Sequence, residues 1–323
     1  MSEVLPKETD MKAQAVFFTA PHTLEIREAD VPDPAPHEVQ VRTVANGICM
    51  AEVSIFSGAE PRYPATAGHE GVGVVTKVGS EVQHLQEGDW AATGHWATVQ
   101  NLGAVGLARL SAPPADPGSF LIEPCACVVT ALYSYDLTAG DRVLVMGAGF
   151  MGLLNVQALA HSPLAELIVT DVKPANLALA KEYGATEVIN TATPEGADRL
   201  EELAENPFDL VVEAAGVEPT IQQAGRLTRP GGRLSIFSWH HHPRTVDMGL
   251  WHMRGLKVLN SAPGIGRDHN INNMQRAVWL IERGIFDLSK LVTHRHPFAQ
   301  VEPAMEIAVQ RPGEYIKGVL MFE

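Results

Sequence analysis

The sequence predicts an α/β chain in which a doubly wound parallel sheet is inserted into a second, mostly β domain. Three observations predict it. From about Ile122 onward, short apolar runs alternate with longer helical stretches, the pattern of parallel strands covered on both faces. Before that point, Met11 to about Pro117 is strand-like, broken by turns and poor in helical periodicity. After Gly284 the text returns to short strands and one helix. That closing stretch is too short for a third domain, so it completes the first one. The length of 323 residues suits two domains at roughly 150 residues each.

In the first region, Ala13–Thr19 and Glu38–Ala45 alternate in polarity and Gly71–Val78 is β-branched, so all three are expected strands. Ala51–Gly58 is a short expected helix. Prolines cluster at Pro32, Pro34 and Pro36 and again at Pro113, Pro114 and Pro117, the second cluster marking a boundary. The parallel strands are then Arg142–Met146, Leu167–Thr170, Glu187–Ile189, Leu210–Val212, Leu234–Phe237 and Lys257–Leu259. Helices are expected between them at Met151–Ala160, Asn176–Tyr183, Arg199–Glu205 and Thr220–Leu227. A further helix, Ile271–Gly284, sets Ile271, Met274, Val278 and Ile281 on one packing stripe. Leu291–His294, a helix at Val301–Val309 and Ile316–Phe322 close the chain. The expected division is 11–121 with 286–323 for the β domain and 122–285 for the inserted sheet. Met1–Asp10 is polar, lacks the apolar core of a signal peptide and the arginines of a transit peptide, and is expected to be a disordered extension.

Composition narrows the function. Hydrophobic residues at 46% and charged residues at 19% exclude disorder as the dominant state. No apolar run approaches the roughly 18–20 residues of a membrane helix. Lys and Arg number 24 against 38 Asp and Glu, a net charge of −14, which repels phosphate backbones and excludes nucleic acid as partner. Small-molecule chemistry remains. The three cysteines, Cys49, Cys125 and Cys127, are an odd number that builds no disulfide framework and suits a reducing cytoplasm.

Gly147-Ala148-Gly149-Phe150-Met151-Gly152 follows an expected strand and opens an expected helix, the context that gives a GxGxxG its meaning. Gly147 permits the tight turn, Gly149 lets the backbone approach a pyrophosphate, and Gly152 lets helix and strand pack closely. The pyrophosphate would meet the backbone N–H groups of the helix start at Phe150 and Met151. Asp171 lies twenty-four residues after Gly147, at the end of the next strand. There a carboxylate accepts from both ribose hydroxyls and repels a 2′-phosphate, which selects NAD over NADP; Lys173 adds a positive charge close by. A flavin or S-adenosyl methionine would use a similar loop.

Upstream stand Asn46-Gly47-Ile48-Cys49 and Gly68-His69-Glu70-Gly71. A thiolate and an imidazole are ligands zinc prefers. Taken singly, such a His is more often a hydrogen-bonded core residue and such a Cys a small buried hydrophobe. Glu123, in Leu121-Ile122-Glu123-Pro124, stands where the chain crosses between domains.

With these segments the course from Met11 onward resembles the medium-chain dehydrogenase/reductase superfamily, in which a Rossmann domain sits inside a sequence-split, GroES-like β catalytic domain. The resemblance extends through Val72-Gly73-Val74-Val75, Val78-Gly79, Gly88-Asp89, Glu123-Pro124, Gly140–Val145, the glycine loop, Gly231-Gly232-Arg233 and Thr293-His294-Arg295. It is strongest toward the zinc polyol (sorbitol) and threonine dehydrogenases. The resemblance implies a single catalytic zinc held by Cys49, His69, Glu70 and Glu123. A thiolate and two carboxylates would leave such a site net negative, so that Glu70 or Glu123 loosens when substrate enters. It also implies a homodimer or homotetramer, paired through the last strand of the inserted sheet.

Three departures from the family pattern stand out. The lobe that carries a structural zinc is absent: Trp90–Gln100 contains no cysteine. After the metal Cys, relatives carry a hydroxyl and a His that move the alcohol proton, whereas here Met50, Ala51, Glu52, Val53 and Ser54 follow. Proton transfer falls to Glu52, Ser54, water or another group. Finally, Trp239-His240-His241-His242 follows a strand at the carboxyl edge of the sheet, where ligands bind. Consecutive residues do not point one way, so a polar, aromatic loop is favoured there over a second metal. Cys125 and Cys127 are expected to be buried.

The sequence therefore reads as a zinc-containing, NAD-dependent alcohol dehydrogenase that oxidises a secondary alcohol, polyol, sugar or amino alcohol to a ketone. The alternatives are a metal-free enoyl or quinone reductase of the same fold, which the lost hydroxyl relay favours, and a non-catalytic NAD-binding sensor.

Overall fold

The computed structural model of the chain describes residues 11–261 and 269–322, apart from the side chains of Met11 and residues 269–272. The expected extension at residues 1–10 and the side chain of Ile271 lie outside the described residues. The chain divides into two units, one running through Glu123 and resuming at Leu288, the other spanning Pro124–Asp287.

In the first unit, β1 (Met11–Ala20) pairs antiparallel with β2 (Thr23–Val31). The sequence reading missed β2 because nearly all of it is exposed, so no polar–apolar alternation marks it. Next come β3 (Glu38–Ile48), α1 (Met50–Phe56), β4 (Ala65–Thr66), β5 (Gly71–Val78), β6 (Trp90–Thr93) and β7 (Val99–Gly103). β3 is the central strand: β5 pairs antiparallel along one edge, and β7 takes the first half of the other. Phe18, Phe56 and Trp96 are fully buried in its core, with Phe18 5.8 Å from Phe56 and 6.0 Å from Trp96 between ring centroids.

The second unit follows the start of α2 (Ile122–Tyr135). It continues through β8 (Arg142–Met146), α3 (Phe150–Leu159), β9 (Glu166–Asp171), α4 (Pro174–Glu182), β10 (Glu187–Asn190) and α5 (Pro194–Leu203). Then come β11 (Phe208–Glu213), α6 (Glu218–Leu227), β12 (Thr228–Ile236), α7 (Met248–Met253), β13 (Lys257–Asn260) and α8 (His269–Glu282). The six strands are all parallel in the order β10-β9-β8-β11-β12-β13, the doubly wound sheet the alternating text predicts. Leu144, Ile168, Phe208, Val211 and Leu234 form its buried core. α7 was not anticipated; Asp247 caps it by accepting from the Leu250 N–H at 2.8 Å. On α8, Val278 is buried, whereas Met274 and Ile281 are half-buried.

The chain then re-enters the first unit with β14 (Val292–Pro297), α9 (Val301–Gln310) and β15 (Lys317–Met321). β15 pairs antiparallel with the second half of β3, on the edge it shares with β7. Among the described residues no helix is long and apolar enough to cross a membrane.

Candidate metal centre and dinucleotide loop

Strand register assembles the first cluster. Gly318 stands opposite Ile48 between β15 and β3, which brings Lys317 to the end of β3 where Cys49 follows. Asn46 stands opposite Gly71 between β3 and β5, which brings Glu70 alongside Gly47. Asn46 fixes that corner: its Oδ1 accepts from the Glu70 N–H at 3.1 Å and its Nδ2 donates to the Gly94 carbonyl at 2.8 Å. The buried Trp96 donates from Nε1 to the Gly47 carbonyl at 3.1 Å. As a result, metal-ligating atoms of Cys49, His69 and Glu70 lie within 4.8 Å of one another. Glu123 is outside this group, half-buried in the first turn of α2. Cys125 and Cys127 are buried on the same helix.

Glu52 organises the cluster from α1, whose N-cap is Cys49. Its Oε1 accepts from His69 Nδ1 at 2.8 Å and from the Gly68 N–H at 3.1 Å, and its Oε2 accepts from the Cys49 N–H at 3.2 Å. Glu52, which the sequence offers as a proton carrier, thus engages His69 through Nδ1, so that Nε2 is the ring nitrogen a metal would take. Ser54, the other offered carrier, is buried on α1. Replacing Glu52 with Gln keeps the shape but removes one acceptor. Glu52→Gln is expected to lower zinc affinity about 10–100-fold without loss of fold, read by chelator competition alongside circular dichroism.

The electrostatics suit a cation. Burial and the Glu70 charge push the Cys49 thiol up. Burial works to lower the His69 imidazole, but its hydrogen bonds to Cys49 and Glu52 prevail and hold it well above its ordinary value. A metal must therefore displace protons as it binds. Lys317, which the sequence reading overlooked, lies with its Nζ 2.8 Å from Glu70 Oε1 and 2.5 Å from Oε2. Burial works against its charge, yet Glu70 and Cys49 raise it above the ordinary lysine value. Glu70 Oε2 is buried and faces the Lys317 ammonium. A soft thiolate, an imidazole and a carboxylate fit zinc. One thiolate and the Glu70 carboxylate balance a doubly charged ion, and Lys317 offsets the negative charge of a further carboxylate.

In the second unit, the glycine loop joins β8 to α3. Gly147 has φ +103° and a Cβ there would stand 2.8 Å from the Ala215 nitrogen, while a Cβ on Gly152 would meet the Gly147 carbonyl oxygen at 1.9 Å. Gly149 is the N-cap of α3 and faces open space on the side a Cβ would fill. Phe150 is buried and Met151 half-buried, so at the loop these two offer backbone N–H groups of the first helical turn. Asp171 ends β9; its Oδ2 accepts from the Ala148 N–H at 2.6 Å and its Oδ1 from the Lys173 N–H at 2.8 Å. Each oxygen retains a lone pair for a ribose hydroxyl. Turn, helix start and terminal acid thus fit a dinucleotide.

The histidine run does not converge. His240 Nε2 faces Glu213 Oε2 at 3.0 Å, while His241 stacks on Trp239 with ring centroids 5.8 Å apart. Cys49, His69 and Glu70 are the one convergent donor group among the described residues. His95 Nδ1 lies 3.3 Å from the Gly68 carbonyl, and His294 stacks on His296 with centroids 6.3 Å apart.

Two family models match the chain. The alcohol dehydrogenase GroES-like domain matches residues 35–109, and the zinc-binding dehydrogenase domain matches residues 151–280. The sorbitol dehydrogenase of Gallus gallus is 30% identical over 337 residues, covering 92% of this chain and 93% of its own length. An Escherichia coli oxidoreductase of unknown specificity shares the fold with a TM-score of 0.87 at 26% identity, covering 97% of this chain and 100% of that one. An Escherichia coli alcohol dehydrogenase solved in complex with NADH gives a TM-score of 0.84 at 25% identity, covering 96% and 99%.

Proposed function

The chain belongs to the medium-chain dehydrogenase/reductase superfamily, near its polyol dehydrogenases, and on that premise we propose that it is a zinc-dependent, NAD-linked enzyme oxidising a secondary alcohol, polyol, sugar or amino alcohol to a ketone. The observation that carries the proposal is the convergence of the metal-ligating atoms of Cys49, His69 and Glu70 within 4.8 Å of one another. When bound, zinc supplies Lewis acidity that lowers the pKa of an alcohol oxygen, and NAD supplies the hydride acceptor.

The chain's own residues do the holding. Cys49, His69 and Glu70 bind the metal, with Glu123 as the fourth ligand we assign. Glu52 keeps His69 in the binding tautomer, and Lys317 tempers the charge of Glu70. Phe150 and Met151 donate backbone N–H groups to the pyrophosphate, and Asp171 accepts from the adenosine ribose. The Asp171 charge repels a 2′-phosphate, which is why we assign NAD; the NADH complex of the Escherichia coli relative supports the same choice.

The test is metal content and turnover on protein purified without chelators. About one zinc per chain is expected, together with NAD reduction on at least one member of a polyol and secondary-alcohol panel. A folded protein without zinc would sink the proposal and turn attention to conjugated carbonyl substrates. Asp171→Ala is expected to weaken NAD binding about 10–100-fold, the worth of its charge-assisted hydrogen bonds, while NADP binding holds or improves. Equal losses for both, measured by titration calorimetry, would remove Asp171 from the ribose.

A further inference from the structure

Glu213 ends β11 fully buried, yet its carboxylate is surrounded by donors. Oε1 accepts from the N–H groups of Ala215 at 3.0 Å and Gly216 at 2.9 Å, and from Thr220 Oγ1 at 2.6 Å. Oε2 accepts from Ser238 Oγ and from His240 Nε2 at 3.0 Å. So engaged, it serves as a hub joining the turn after β11 to the segment after β12. The other ring nitrogen settles the His240 tautomer. Arg244 Nε donates to Nδ1 at 3.1 Å, so Nδ1 holds the lone pair and Nε2 the proton. Arg244 then returns to the first turn, with Nη2 donating to the Gly216 carbonyl at 3.1 Å. The closed ring of contacts backs directly onto the glycine loop: Gly147 leaves no room for a Cβ against Ala215, and the Ala214 N–H donates to the Met146 carbonyl at 2.8 Å.

Sheet order says what this block faces. A dinucleotide crosses the carboxyl edge of such a sheet where the strand order reverses, which here is between β8 and β11. Asp171 at the end of β9 marks the adenosine side and the glycine loop after β8 marks the pyrophosphate. The second nucleotide half then extends over β11 and β12, whose carboxyl ends carry Glu213 and residues 238–244. We infer that Glu213, His240 and Arg244 are positioning residues for the nicotinamide half of the cofactor. They lock the β11–α6 turn and the loop after β12 into one face, on which Trp239, 58% exposed, is presented. The inference rests on the dinucleotide reading above.

The experiment compares NADH with ADP, which lacks the second ribose and the nicotinamide. Both are titrated against the full-length wild type, His240→Ala and His240→Gln. In His240→Ala, NADH affinity is expected to fall about 10-fold or more, since two hydrogen bonds are lost and Glu213 and Arg244 are left without that partner. ADP affinity should stay within about two-fold, because the adenosine and pyrophosphate groups lie elsewhere on the edge. His240→Gln, whose amide can donate to Glu213 and accept from Arg244, should recover most of the loss. Parallel losses for NADH and ADP, or no change in either, would overturn the positioning role. A wild type that binds neither ligand would instead overturn the dinucleotide reading on which it rests.

Discussion

Lys317→Met is expected to cost the metal-free protein about 3–5 kcal/mol of unfolding free energy. The Lys317 and Glu70 side chains are 5% and 2% exposed, so removing the ammonium leaves a carboxylate deep in the first unit without its hydrogen-bonded partner, with the nearby His69 imidazole as its remaining cation. The penalty arises less from losing an attraction than from stranding a buried charge. Methionine keeps most of the aliphatic stem, so packing changes little. Zinc gives the same carboxylate another cation, and the deficit should shrink as zinc is added. Urea midpoints of chelator-stripped and zinc-loaded protein provide the comparison. Adding Glu70→Gln to Lys317→Met should restore part of the loss, the non-additivity expected of two groups in contact. A deficit indifferent to both zinc and Glu70 would assign Lys317 to the fold alone.

Why Lys317 escaped sequence reading is instructive. It sits 247 residues from Glu70, and only the pairing of β15 with β3 and of β3 with β5 brings the two together. A signal was present, since Lys317 heads an otherwise apolar strand whose residues are mostly buried; a charge there needs a partner. Glu213 carries the same signature at the end of the apolar β11, and its partners Thr220, Ser238 and His240 lie on other elements. The parallel sheet was legible because its central strands β8, β9 and β11 are mostly buried and read as short apolar runs between helical stretches. Cys49, His69 and Glu70 were legible because their short motifs match a family. Glu52 was legible as a nearby acid but not as the partner of His69, because proximity in sequence does not say which atom a carboxylate will face. β2 was illegible for the opposite reason: an exposed strand has no face to mark.

Cys49→Ala is expected to reduce zinc from about one per chain to near zero and NAD-linked turnover by about three orders of magnitude or more, with NADH affinity kept within about two-fold. Without the thiolate the donors are His69, a Glu70 already engaged by Lys317 and the Glu123 assigned above. One imidazole and two hard carboxylates, one of them shared with an ammonium, hold zinc far more weakly than a set that includes a soft thiolate. The glycine loop and Asp171, by contrast, belong to the second unit, so cofactor binding has no reason to follow the metal. Retention of NADH binding with loss of turnover therefore separates chemistry from cofactor capture. A sensor would bind NADH in both proteins and turn over nothing in either. A metal-free reductase would work equally well with and without Cys49, because none of its steps would need a Lewis acid.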